Sequence, residues 1–575
     1  MTTFIEAAQN GSMIDAIKCL DNDKIPVDWQ VENGWTALMW AANNSHQQLC
    51  ELFLSRGCNK DAVNIDGRTA LTRAVLMGHK GICGLLLSRG CNYNVIDKYG
   101  YTSLMFAARE NHAEICELLI SRGCNVDIQH VSGDTALIYA ANNGYNEICD
   151  ILITNGCADM NIQGKYGNTA LIAAVDSGHY NDHGNKEVVQ LLISRGANVD
   201  IQGDYGSSAL CFAASSGRKE ICESLISRGC NLDLQDSDGN SALFLAIKKD
   251  HMEICELLIK NGCNSNLRNK NGTTALMLAA VSGKNELCKL LIINGCELDC
   301  EDKNGRIALI DAAKSDRKEL CELLISNGAN VDIQSNFGKT ALLSAAEFGS
   351  YEMCQLLVNS GCNVDIVDKF GCNALFCAAR NINKEICELL IINGSNLDIQ
   401  NNDGNTALIA AVGGIWGVMG SPDRGRHRKV CKLLISHGCN LDMQNKDDHT
   451  ALMRAVVVGD KEVCELLILS DCNINLRDKA GATALHLAAT KGHKEVCELL
   501  ITRGCKPDQE TNLGETALVL ALRSRHIQLA ISLIYAGSDY THKDKSGNSA
   551  LDYLNKQRYP AEFNQVQVTR LLSFH

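Results

Sequence analysis

The chain has 575 residues, 46% hydrophobic and 21% charged, the balance of a folded, water-compatible protein, and its four prolines leave no room for proline-rich linkers. A formal net charge of -13 speaks against DNA or RNA as the main partner, because phosphate binding needs a basic face. No basic start followed by an apolar core opens the chain and no stretch approaches about 18 uncharged apolar residues, so neither a secretory leader nor a membrane span is expected.

Residues 1–31 contain FIEAAQNGSMIDAIKCL, which predicts two short helices forming an N-terminal capping unit. From residue 32 onward the motif Gly-x-Thr-Ala-Leu recurs. Its first position falls at Gly34, Gly67, Gly100, Gly133, Gly167, Gly206, Gly239, Gly272, Gly305, Gly338, Gly371, Gly404, Asp448, Gly481, Gly514 and Gly547, 16 copies in all, and 12 of the 15 intervals are 33 residues. A fixed period of this length marks stacked supersecondary units.

Residues 98–130 show how one unit works. Gly100 lies in a turn, where glycine tolerates a positive φ. Thr102 is placed to cap a first helix through its hydroxyl. Leu104, Ala107 and Ala108 give that helix a small apolar face, which lets neighbouring helices approach closely. In EICELLISR the residues Ile115, Cys116, Leu118 and Leu119 recur at helical spacing, and Gly123 ends this second helix. One unit cannot bury its own apolar face; stacked units share one core. Thr or Ser holds the capping position in all copies but two. Asn373 can still cap and Ile307 cannot, so the repeat at Gly305 is expected to be locally weaker.

Residues 483–505, TALHLAATKGHKEVCELLITRGC, carry the pattern Thr-x-Leu-His-x-Ala-Ala, Gly-His-x-Glu, Leu-Leu and closing Gly. The chain thereby resembles the ankyrin-repeat family over essentially its whole length. The consistent departure is Ala for the family's Pro after Thr, which a helix start accepts. The resemblance implies an all-α ankyrin-repeat solenoid of about 17 helix–turn–helix repeats in one curved superhelix, on the order of 170 Å long at roughly 10 Å per layer. The array is read as continuous over 32–546, with a C-terminal capping repeat over 547–575. In that cap Pro560 opens a last helix with Phe563, Val566 and Leu571 inward and Gln565 and Gln567 outward. One extra residue at Asp159–Asn161 and two insertions, near 176–187 and near 411–429, are expected as surface loops.

Among the 29 cysteines, 13 share one second-helix position and 11 follow the helix-ending glycine, where the family holds Val and Ala. They are expected to pack as small hydrophobes. Cys50 and Cys58 lie roughly 12 Å apart along a helix, beyond disulfide reach, and no Cys-x-x-Cys pair suits zinc. So many free thiols point to a reducing, cytoplasmic setting, with nuclear entry left open. His46, His79, His112, His179, His251, His493 and His526 sit at the Gly-His position and are expected to orient the loop between helices. His179, Asp182 and His183 lie close in sequence, but three ligands on one loop lack the rigid support of a metal site. Gly413, Gly414, Gly417 and Gly420 lack the Lys-Ser or Lys-Thr of a phosphate loop. In the same insertion Trp416 and Met419 stand beside Arg424, Arg426, His427, Arg428 and Lys429, which suits an acidic partner, a membrane surface or a solvated loop. The resemblance also implies that Asn266 and Asn475 are hydroxylation candidates. No catalytic residue, cofactor or metal site is expected.

The turn tips are the best binding candidates. Trp35, Tyr99, Tyr101, Tyr166, Tyr205, Phe337 and Phe370 flank tip glycines in a chain that is only 5% aromatic, and aromatic rings supply most interface hot spots. Packing on the adjacent turn is the alternative for any one of them. The expected function is a non-catalytic scaffold or adaptor that binds proteins along the concave surface and tips, with Trp416 as a further contact. The chain is expected to be monomeric. An elastic element and a substrate-recruiting adaptor of a ubiquitin ligase remain alternatives.

Overall fold

A computed structural model describes residues 2–156, 158–176, 182–413 and 424–556. These residues form 33 α-helices and no extended strand; four isolated β-bridges, among them Gln30 with Thr36, close turns. The chain divides into two compact units, residues 1–279 with 293–296, and residues 280–292 with 297–575.

Within each unit the same pair of helices repeats. Ser103–Arg109 and Ala113–Ser121 are a representative pair from the first unit. The Met105 N–H donates to the Thr102 hydroxyl at 3.2 Å, so one orphan donor of the helix end is satisfied. Leu104, Ala107, Ala108, Ile115, Cys116 and Leu119 are buried, while Leu118 is only half-buried. Burial of one such leucine contributes about 2–3 kcal/mol. In the second unit Ala341–Phe348 and Tyr351–Asn359 follow the same plan, with Thr340 accepting from the Leu343 N–H at 3.1 Å. Asn373 caps Phe376 in the same way at 2.9 Å, whereas Ile307 makes no cap hydrogen bond.

Neighbouring repeats are joined by three recurring devices. Backbone bonds zip tip to tip, as from the Lys98 N–H to the Asp66 carbonyl at 2.8 Å. Gln163 donates from its side chain to the Gly167 carbonyl at 2.8 Å and to the Gln202 carbonyl at 2.9 Å. Asp127 and Asp365 accept from the Asp159 and Asn396 N–H groups of the following repeat. The last device occupies the register of the hydroxylation candidates Asn266 and Asn475 with a structural role. The Gly-His histidines act between repeats as well: Nε2 of His46, His79, His251 and His526 each bonds a carbonyl of the preceding repeat. A Cβ at Gly217 would lie 2.7 Å from the His251 ring, so glycine is required there.

The N-terminal helices are Thr2–Asn10 and Met13–Asp21, with Phe4 fully buried edge-on against Phe53 at 5.7 Å. The insertions depart from the expectation of plain loops. The second helices Asp182–Ser194 and Arg424–Ser436 run 13 residues where the regular one runs nine. Part of each insertion therefore lengthens a helix, and in the second the bond between His427 and Asp460 at 2.7 Å ties the added turn to the following repeat. The final described helix is Ala550–Lys556. Pro560, Phe563, Val566 and Leu571 of the expected C-terminal cap lie outside the described residues.

Candidate protein-binding surface

The residue before each tip glycine and the residue after it have different fates. The chain turns at the glycine, so the preceding side chain projects from the tip while the following one turns back over the first helix. Tyr99, Tyr166, Tyr205, Phe337 and Phe370 all precede the glycine, and all are exposed, between 47% and 64%. Tyr166 and Tyr205, on consecutive tips, stack at 6.4 Å. Lys98 and Lys165 lie over the Tyr99 and Tyr166 rings at 4.9 and 4.6 Å. Leu513 occupies the same register and is also exposed; a search restricted to aromatic residues misses it.

Trp35 and Tyr101 follow the glycine, and both are half-buried. They pack on the adjacent turn and helix. Trp35 lies 4.2 Å from Trp40, with the Arg73 guanidinium 4.5 Å over its ring. Tyr101 packs against Phe106 at 4.9 Å, His130 at 4.1 Å and Tyr139 at 5.7 Å. Arg109 lies over Tyr101 and Phe106 at 5.3 and 5.2 Å, and Arg68 over Phe106 at 5.0 Å. The fourth residue after each helix cap supplies most of these partners: Trp40, Arg73, Phe106 and Tyr139. Fixed spacing from the cap is the signal that would have found them.

Polar groups tune this aromatic band. Burial and the hydrogen bond with the Tyr101 hydroxyl push the Tyr139 phenol above its ordinary range, so it stays neutral. Burial lowers the Arg73 pKa, and its guanidinium donates to the Asn43 side-chain oxygen at 2.6 Å. His130 Nδ1 lies 3.1 Å from the Ser132 backbone nitrogen and 2.9 Å from the Ser132 hydroxyl. The Trp40 Nε1 and His130 Nε2 atoms are buried without a hydrogen-bond partner. The band thus offers aromatic faces to an incoming chain. Trp416 lies outside the described residues.

The cysteines sit where the repeat pattern puts them. Every described cysteine is a free thiol, buried except for half-buried Cys58 and Cys263. Burial pushes the Cys50 and Cys83 thiols up to about 12, which keeps them protonated and unreactive. Among the described residues no cluster of three or more His, Cys, Asp or Glu side chains could hold a metal ion, and no helix is long and apolar enough to cross a membrane. His179 lies outside the described residues, as do the side chains of Asp182 and His183.

The family model described as ankyrin repeats (3 copies) matches successive overlapping stretches that together cover residues 4–97, 104–418 and 423–544. Among curated proteins the chain is similar to the NAD-capped RNA hydrolase NUDT12 of Homo sapiens, Macaca fascicularis and Pongo abelii. Each match is 37% identical over 64 residues, 11% of this chain and 14% of the relative. The chain therefore spans only a small part of those relatives' length.

Proposed function

The chain belongs to the ankyrin-repeat family, whose repeats are generally protein-interaction modules, and on that premise we propose that it is a non-catalytic scaffold that binds partner proteins at its turn tips and along the adjoining aromatic band. The observation that carries this reading is the set of projecting rings Tyr99, Tyr166 and Tyr205 beside the packed Trp35–Tyr139 band. Rings held in place lose little entropy on binding and can bury large apolar areas. The length of the array allows several contacts at once, so avidity can replace a deep pocket.

The test is capture from native extract with the full chain and with a Tyr99→Ala/Tyr166→Ala/Tyr205→Ala variant shown by circular dichroism to be folded. A partner held by the first and lost by the second supports the reading. Equal retention would move the site away from these tips. Absence of any specific partner would favour a mechanical role, in which the array itself is the function.

A further inference from the structure

The fourth residue after each first-helix cap forms a row, one side chain per repeat. In the first unit Trp40, Arg73, Phe106 and Tyr139 occupy it in succession. The helices that carry them, Ala37–Asn43, Ala70–Leu76, Ser103–Arg109 and Ala136–Asn142, pack each on the next, which sets a step of roughly 8–10 Å. Trp40 and Tyr139 are half-buried. Phe106 is buried, but Tyr101 stacks on it at 4.9 Å and presents a half-buried ring in its place. The row therefore reads ring, cation, ring, ring. Over 302–380 the same position holds Asp311, Ser344 and Cys377, and no ring.

The cation in this row differs from the other two guanidinium groups of the band. Arg68 pairs with Asp97 at 3.1 Å and Arg109 with Glu110 at 2.8 Å. Arg73 lies 4.5 Å over the Trp35 ring, and its Nε and Nη2 both donate to the Asn43 side-chain oxygen, at 3.2 and 2.6 Å. Asn43 accepts these N–H groups but carries no charge, and among the described residues no carboxylate pairs with Arg73. Burial and the Arg68 charge lower its pKa, while Asp66, which supports it, is itself paired with Lys98. Arg73 is thus a half-buried positive charge, held on a ring by a neutral amide, whose counter-charge the repeat does not supply.

We propose that this row binds a polyproline II segment of a partner protein, with an acidic residue opposite Arg73 and apolar residues three positions to either side. The step of the row selects the conformation. Polyproline II has three residues per turn and rises roughly 3.1 Å per residue, so every third side chain returns to one face after roughly 9.3 Å. An extended strand puts residues three apart on opposite faces. An α-helix returns to one face every roughly 5.4 Å, so alternate turns would meet no feature of the row. The rings suit the same occupant, because a proline-rich segment is already ordered when it docks in an aromatic-lined groove. The charge completes the match: a carboxylate from the segment gives Arg73 a charge-assisted hydrogen bond and the acid it lacks.

The inference rests on the reading of the chain as a protein-binding array and names the partner of its ring band. Binding to the full chain is measured by fluorescence anisotropy with two fluorescein-labelled peptides. One carries leucine, glutamate, leucine and leucine at every third position with proline elsewhere; the other carries the reversed order, so that both chain directions are tried. The better peptide is expected to bind, and its glutamine version to bind at least about tenfold more weakly. Arg73→Gln, shown by circular dichroism to be folded, should abolish that difference, and Arg73→Lys should keep part of it. Arg454→Gln changes net charge equally at the same register in the second unit and should preserve the difference; the three-tyrosine tip variant should preserve it as well. A difference that survives Arg73→Gln, or that vanishes equally in Arg454→Gln, would overturn the proposal. Equal binding by a peptide with glycine and serine in place of the prolines would overturn it too, because the conformation would then not matter. Loss in the tip variant would place the peptide on the tips instead. No binding by either proline peptide would also overturn the proposal, and would leave the tip reading to its own capture test.

Discussion

Two stretches of the molecule use one scaffold to build opposite surfaces. In residues 35–139 the position after the tip glycine holds Trp35, Arg68, Tyr101 and Asp134, and the fourth position after the cap holds Trp40, Arg73, Phe106 and Tyr139. The result is a band of stacked rings with guanidinium groups over them. In residues 302–380 the same two positions hold Arg306, Lys339 and Cys372, then Asp311, Ser344 and Cys377. There the contacts are ion pairs: Arg306 with Asp302 at 2.8 Å and Asp311 at 3.5 Å, Lys339 with Glu347 at 3.0 Å and Asp368 at 3.1 Å, and Arg380 with Glu347 at 3.6 Å. Burial pushes the Asp311 carboxyl above its ordinary range even with Arg306 beside it. A ring surface releases water cheaply when a partner arrives, whereas charges already paired with each other cost energy to desolvate and gain little in return. Binding energy is therefore expected to concentrate on the first stretch.

Variants can sharpen the contrast, beginning with the largest effect. Tyr101→Ala removes a ring packed against three others and should lower stability by about 2–3 kcal/mol in urea unfolding. A change under about 0.5 kcal/mol would mean that the band is not a packed unit. Acid acts on the second unit through Asp460. Burial opposes its charge, but hydrogen bonds from His427, the Val463 N–H and Arg428 outweigh that and hold its pKa at about 2. Because the folded value lies below the unfolded one, the carboxylate contributes stability at neutral pH. About 2 kcal/mol should be lost as the pH falls from about 4 through about 2. Asp460→Asn should flatten that part of the stability–pH curve.

Ile307→Thr restores the missing cap and should raise stability by about 1 kcal/mol; a loss would show that the isoleucine's buried contacts matter more. Glu347→Gln strips a shared acid from Lys339 and Arg380 and should cost about 1 kcal/mol, reduced by partial exposure and sensitive to salt. Tyr99→Ala should change stability least, by under about 0.5 kcal/mol, because its ring projects.

The scaffold was readable from the sequence because it is periodic. A threonine at fixed distance from a glycine predicts its cap, and cysteines at one register predict their burial. The tips were half readable. The rings that flank glycines could be named, but whether Tyr99 projects and Tyr101 packs depends on which way the chain leaves the turn. The Arg306–Asp311 and Lys339–Glu347 pairs were missed because each joins a turn to the first helix of the same repeat and appears only once the turn folds back over that helix. The added turn at Arg424 was missed for a different reason: the bond from His427 to Asp460 crosses between repeats and leaves no local signal. The basic run Arg424–Lys429 reads as a loop in the sequence but opens the helix Arg424–Ser436.

The central claim is that the tips and ring band of the first unit form the partner surface. Hydrogen–deuterium exchange of the chain with and without a captured partner tests it most directly. The account predicts slowed exchange at the amides around residues 33–36, 98–102, 165–168 and 204–207, with the ion-paired stretch 302–380 unchanged. Protection confined to 302–380 or to the second helices, with these tips exchanging as in the free chain, would contradict it.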